Sequence, residues 1–92
     1  MKRVLYSGIF DLPHLGHLMA FEEAKKLGDY LIVYVASDKE TKAVKGALRP
    51  IVPAIERVQL IKGFKCVDEV FTSDCYMTDE EVIEACNADL MV

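Results

Sequence analysis

Seven consecutive residues, Tyr30-Leu31-Ile32-Val33-Tyr34-Val35-Ala36, form an apolar run rich in β-branched and aromatic side chains. A strand covered on both faces needs such a run, because neither alternate set of side chains meets water. The run therefore predicts a central parallel strand, and parallel neighbours require crossover connections. The flanking sequence supplies one. Val4 to Tyr6 reads as a short buried strand that stops at Ser7-Gly8. Leu15, Leu18, Met19, Phe21 and Ala24 then recur mostly at helical spacing, with Glu22, Glu23, Lys25 and Lys26 on the other face. Pro13 suits the first turn of that helix, and Gly28 suits its left-handed stop. Strand, helix and strand make a βαβ unit with a right-handed crossover.

Further along, Ser37-Asp38 can cap a short helix or turn, ahead of an irregular, basic loop broken by Gly46, Pro50 and Pro53. Pro53 can open a second helix through Ile55, Val58, Gln59, Ile61 and Lys62, ending near Gly63. Val67 to Phe71 reads as a third strand. Thr78-Asp79-Glu80-Glu81 is a capping box that starts a helix running to about Asn87, and Ala88 to Val92 begins a fourth strand. The predicted fold is a three-layer, Rossmann-like α/β domain with a parallel sheet in the order 3-2-1-4, a single domain over residues 1–92.

Composition sets the outer bounds. Apolar residues make up 52% and charged residues 28%, as in a globular chain and not a disordered one. The longest apolar run is far too short to cross a bilayer, and Met1-Lys2-Arg3 leads into no signal peptide, so a cytoplasmic location is expected. A net charge of −4 argues against broad nucleic-acid binding, which draws on many Lys and Arg contacts to phosphate. Cys66, Cys75 and Cys86 are odd in number and lack CxxC spacing, which predicts reduced structural thiols and no metal site.

Chemistry concentrates between Gly8 and His17, a strand-to-helix turn that holds both histidines of the chain. Such a turn can bind phosphate through helix amides and the helix dipole. His14 and His17, three residues apart, share one helix face and can address the same phosphate. Gly8 and Gly16 leave room for close approach of a ligand, and Phe10 packs beneath the turn. Lys39, Lys42 and Lys62 read as solvated charge, and Tyr6, Phe21 and Tyr34 as core.

Gly8-Ile9-Phe10-Asp11 followed by His14-Leu15-Gly16-His17 resembles the GxFDxxHxGH signature of the cytidylyltransferase-like nucleotidyltransferases. That family includes the glycerol-3-phosphate, phosphocholine and phosphoethanolamine cytidylyltransferases, together with adenylyltransferases acting on sugar phosphates or FMN. Leu27-Gly28-Asp29-Tyr30-Leu31-Ile32-Val33, Ser37-Asp38, Lys45-Gly46, Arg57 and Val67-Asp68-Glu69-Val70 match at the same relative spacing. Ile9 stands where many relatives carry Thr, Cys or Val.

The resemblance implies in-line attack of a substrate phosphate on the α-phosphate of a nucleoside triphosphate, with Mg²⁺ accompanying the nucleotide and pyrophosphate leaving. It implies His14, His17 and Lys45 as catalytic groups, with Lys45 in the loop after the second strand. Gly8, Ile9, Phe10, His14, Gly16, His17 and Arg57 are implied as nucleotide-binding, Arg57 near the pyrophosphate. Asp11 either holds the turn or meets a cationic part of the acceptor. The first expectation is CTP with a phosphorylated alcohol, in a homodimer. ATP with a sugar phosphate or FMN is the alternative, because Lys45 to Pro53 is similar to the sugar-phosphate adenylyltransferase pattern; Cys75-Tyr76-Met77-Thr78 instead resembles the phosphoethanolamine enzymes. A third reading is a noncatalytic nucleotide-binding or dimerisation module. The family usually continues past the fourth strand to an Arg- and Ser/Thr-bearing motif, so a truncated or minimal domain lacking that strand and helix is expected.

Overall fold

A computed structural model describes residues 1–92. Its elements run β1 (Arg3–Gly8), α1 (Leu15–Lys25), β2 (Tyr30–Val35), α2 (Asp38–Lys45), α3 (Ala54–Lys62), β3 (Glu69–Thr72), α4 (Asp79–Cys86) and β4 (Leu90–Met91). The four strands form one parallel sheet in the expected order, β3-β2-β1-β4. β1 and β2 pair along their full length from Arg3–Tyr30 to Gly8–Val35, which brings the C-terminal ends of both strands level beside Gly8.

The continuous apolar run of β2 splits between two cores. Leu31, Val33 and Val35 join Val4, Phe10, Phe21, Ala24 and Ile61 on the face covered by α1 and α3. Ile32 and Tyr34 join Leu5, Val82 and Cys86 on the face covered by α4. Two apolar faces, each with its own helices, are what a buried parallel strand requires.

Several local expectations are corrected. Residues 38–45 are not irregular loop: they form α2, whose start is fixed by a capping box in which Ser37 Oγ accepts from Glu40 N at 3.1 Å. The only buried residue of α2 is Thr41, so no apolar periodicity marks the helix. α1 begins one residue after His14, which adopts extended dihedrals as its N-cap, and Pro13 therefore precedes the helix. Leu15 and Met19 are exposed, and α1 packs through Phe21 and Ala24. Ile55 likewise faces solvent while Arg57 and Ile61 turn inward.

Gly28 does not provide a left-handed stop. Lys26 is the right-handed C-cap, and glycine at position 28 lets β1 pass close by: a Cβ there would sit 2.6 Å from Val4 Cγ2 and 2.8 Å from the Lys2 carbonyl oxygen. β3 starts two residues later than predicted. The Thr78 capping box and Asn87, left-handed at φ 56°, delimit α4 as the sequence suggests.

Candidate functional site

At the C-terminal end of β1 lies a cavity of about 560 Å³, bounded by Gly8, Ile9, Phe10, Asp11, His14, His17, Lys45 and Arg49 among others. Its geometry starts with Phe10, a non-glycine residue held at φ 52°. The chain leaving β1 must reverse sharply there, and the left-handed backbone is held by packing: the Phe10 ring is 5% exposed and meets Phe21 edge-on at 5.3 Å. A Cβ on Gly8 would lie 2.7 Å from Phe10 Cζ. Gly8 therefore makes room for this ring.

The two histidines form the capping box of α1. His14 Nδ1 accepts from Gly16 N at 3.0 Å, and His17 Nδ1 accepts from the backbone N–H of His14 at 3.1 Å. Their rings stack with centroids 4.1 Å apart, and Phe10 supports His17 edge-on at 5.1 Å. A neutral imidazole that accepts at Nδ1 carries its proton at Nε2. Both rings border the cavity with Nε2 free of protein partners, so each offers an N–H donor beside the helix N-terminus. Burial, then the neighbouring His14, pushes the His17 pKa below its ordinary value and so favours the neutral ring. Gly16 serves His14, since a Cβ there would be 2.8 Å from the ring's Cε1; Gly16 itself does not border the cavity.

Lys45, the last residue of α2, borders the same cavity and pairs with no carboxylate. Of the other predicted residues, Arg57 lies outside the cavity, and Asp11 borders it with its carboxylate engaged by protein donors. Arg57 is fully buried and spent on protein acceptors: Nη1 donates to Ile9 O at 2.7 Å, Nε to Val52 O at 2.8 Å, and Nη2 to Asp38 Oδ1 at 2.7 Å. It is a brace behind the turn, outside the cavity that the two histidines border. Asp11 is also turned inward, accepting from Ile51 N and Val52 N, each at 2.9 Å, and from Arg49. It ties the turn after β1 to the loop at residues 49–52. Arg49 is the border residue that sequence reasoning passed over; the signal available was its place four residues after Lys45 in the same basic stretch.

The three thiols are unpaired, and no group of three His, Cys, Asp or Glu side chains stands close enough to hold a metal ion. The donor set fits a cation brought in on phosphate oxygens and not one caged by protein. No helix is long and apolar enough to cross a membrane.

The parallel domain thus gathers two imidazoles at the first strand-to-helix turn, and Lys45 from the end of α2, around one cavity. Residues 5–92 match the family model described as cytidylyltransferase-like, and the chain belongs to that family of nucleotidyltransferases. It is 40% identical over 89 residues to an FAD synthase of Thermococcus onnurineus, an alignment covering 97% of this chain and 59% of the relative. To a bifunctional protein HldE of Nitratiruptor it is 42% identical over 94 residues, covering 99% of this chain and 20% of that protein. The crystal structure of the lipopolysaccharide core biosynthesis protein from Thermoplasma volcanium superposes with a TM-score of 0.89 at 33% identity, covering 99% of this chain and 72% of that one. The chain thus spans about three-fifths of the length of the FAD synthase it matches.

Proposed function

We propose that this domain catalyses adenylyl transfer from ATP to a phosphate monoester, with FMN as the first acceptor to test. A phosphate oxygen of the acceptor forms a bond to the α-phosphorus, the bond to the β-phosphate oxygen breaks, and pyrophosphate leaves. The observation that carries the reading is the stacked pair His14 and His17, which border the cavity with their Nδ1 atoms tied to backbone N–H groups and their Nε2 atoms free of protein partners. Donors fixed before the reaction stabilise the charge that gathers on the α-phosphate oxygens at no reorganisation cost. Lys45 adds a full positive charge, and Mg²⁺ on the triphosphate would supply further neutralisation.

Similarity to FAD synthase favours ATP over the CTP expected first, since the product in that relative's name is an adenine dinucleotide. Similarity to HldE keeps a sugar phosphate as the second acceptor. The reaction belongs in the cytoplasm, where nucleoside triphosphates are kept. The homodimer that the resemblance implies is tested by sedimentation, as a mass near twice 10.3 kDa.

Pyrophosphate release is the decisive assay, run with ATP or CTP and with FMN or a sugar phosphate. Release with ATP and FMN is expected. His14→Ala and His17→Ala should each reduce it by roughly a hundredfold or more while circular dichroism shows a retained fold. Faster turnover with CTP overturns the choice of nucleotide. Nucleotide binding with no pyrophosphate over hours identifies a noncatalytic module, and full turnover in both histidine variants removes their assigned role.

A further inference from the structure

Arg49 is the only guanidinium on the cavity wall, and it is gripped from behind. Its Nε donates to Asp11, whose side chain is 3% exposed, against 35% for Arg49 itself. Asp11 is a fixed anchor. Burial works to raise its pKa, but the N–H groups of Val52 and Ile51 together with Arg49 overcome that and hold it at about 2, so it stays ionised. A guanidinium has five N–H donors. Arg49 commits one to Asp11, and none of the four on its Nη atoms meets a protein acceptor.

A surface arginine ordinarily samples many rotamers; one tied at Nε to a buried carboxylate offers its two Nη groups as a planar fork in one place. Arg49 borders the same space as Lys45 and the two imidazoles. The arrangement has the makings of an oxyanion clamp: two full positive charges, two neutral N–H donors and a helix N-terminus around one opening.

We propose that Arg49 binds phosphate oxygens in this cavity through its Nη groups, with Asp11 as the residue that positions it. The inference rests on the adenylyl-transfer reading and deepens it. It also gives Asp11 a task beyond holding the loop, since the same carboxylate that receives Ile51 and Val52 aims the guanidinium. The phosphate recognised belongs either to the triphosphate or to the acceptor, and kinetics separate the two.

Calorimetric titration of the chain with inorganic pyrophosphate is the first test. Arg49→Gln should weaken binding by roughly tenfold or more, and Arg49→Lys should recover part of the loss, because charge returns without the fork. Lys39→Gln, which removes the same unit of charge from an exposed site on α2 outside the cavity, should leave the affinity unchanged. In steady state a raised KM for ATP assigns the fork to the triphosphate, and a raised KM for the acceptor assigns it to the acceptor phosphate. A second measurement needs no variant: pyrophosphate should protect Arg49 of the unmodified chain from phenylglyoxal, read by mass spectrometry of the Arg49 peptide. Unchanged affinity in a folded Arg49→Gln chain, or no protection, overturns the assignment. Loss of turnover in His17→Ala alongside either result shows that adenylyl transfer stands without Arg49. Wild-type chain that neither binds nor releases pyrophosphate overturns both.

Discussion

Gly16 sits at the second position of α1 with the His14 ring packed over its Cα. Alanine there gains helix propensity worth up to about 1 kcal/mol. Its Cβ, 2.8 Å from His14 Cε1, would displace the ring and forfeit a cap of about the same value. The two effects nearly cancel, so Gly16→Ala should shift the urea midpoint little while pyrophosphate release falls sharply. A large drop in stability with normal turnover would contradict this placement of the ring. His17 also sets a pH dependence. Burial and His14 lower the His17 pKa in the folded chain, so the unfolded chain binds more protons once pH falls below about 6.5. Stability should therefore decline from pH 7.5 towards 5.5 in urea titrations. His17→Gln keeps an acceptor at the capping position without titrating, and should flatten that slope. Asp11, held at about 2, adds a separate loss only below about pH 4.

Gly28 governs how closely the end of α1 approaches β1. A Cβ at that position meets a backbone carbonyl at 2.8 Å, which cannot rotate away as a side chain can. Gly28→Ala should cost about 1 to 3 kcal/mol by overpacking, measured as a lower urea midpoint, with the site's chemistry otherwise unaffected. The sequence reads Gly28 as a helix stop because glycine serves both purposes and only distance separates them. That β2 is a buried parallel strand was legible for a definite reason: the unbroken run from Tyr30 to Ala36 admits one kind of strand. α2 was not, because eight residues with Thr41 as the sole buried member carry no periodic signal and are set by the Ser37 capping box. At the site, His14, His17 and Lys45 could be found from spacing and resemblance, and the structure gathers them. Arg57 could not be placed, since its partner Ile9 O lies 48 residues earlier and a buried arginine is indistinguishable in sequence from a ligand-binding one.

Over the whole molecule, Arg57 ties together the turn after β1, the start of α2 and the entry to α3 through Ile9, Asp38 and Val52. Arg57→Met fills similar volume yet leaves two carbonyls without donors and Asp38 without its cation. A loss of about 3 kcal/mol or more is expected in urea unfolding, with reduced turnover in the chain that remains folded, although residue 57 lies outside the cavity. Full activity in that variant would show that the turn holds its shape unaided. The order of the strands has a consequence in time. β1 meets β2 across 27 residues but meets β4 only across 86, as between Arg3 and Tyr30 and between Val4 and Leu90. Closing the shorter span is favoured, so β1, α1 and β2 are expected to assemble before β4 docks. Every residue bordering the cavity precedes position 50. His14 and His17 lie inside the unit that comes together early, and a growing chain would have made every residue of the cavity before β3 and β4 emerge.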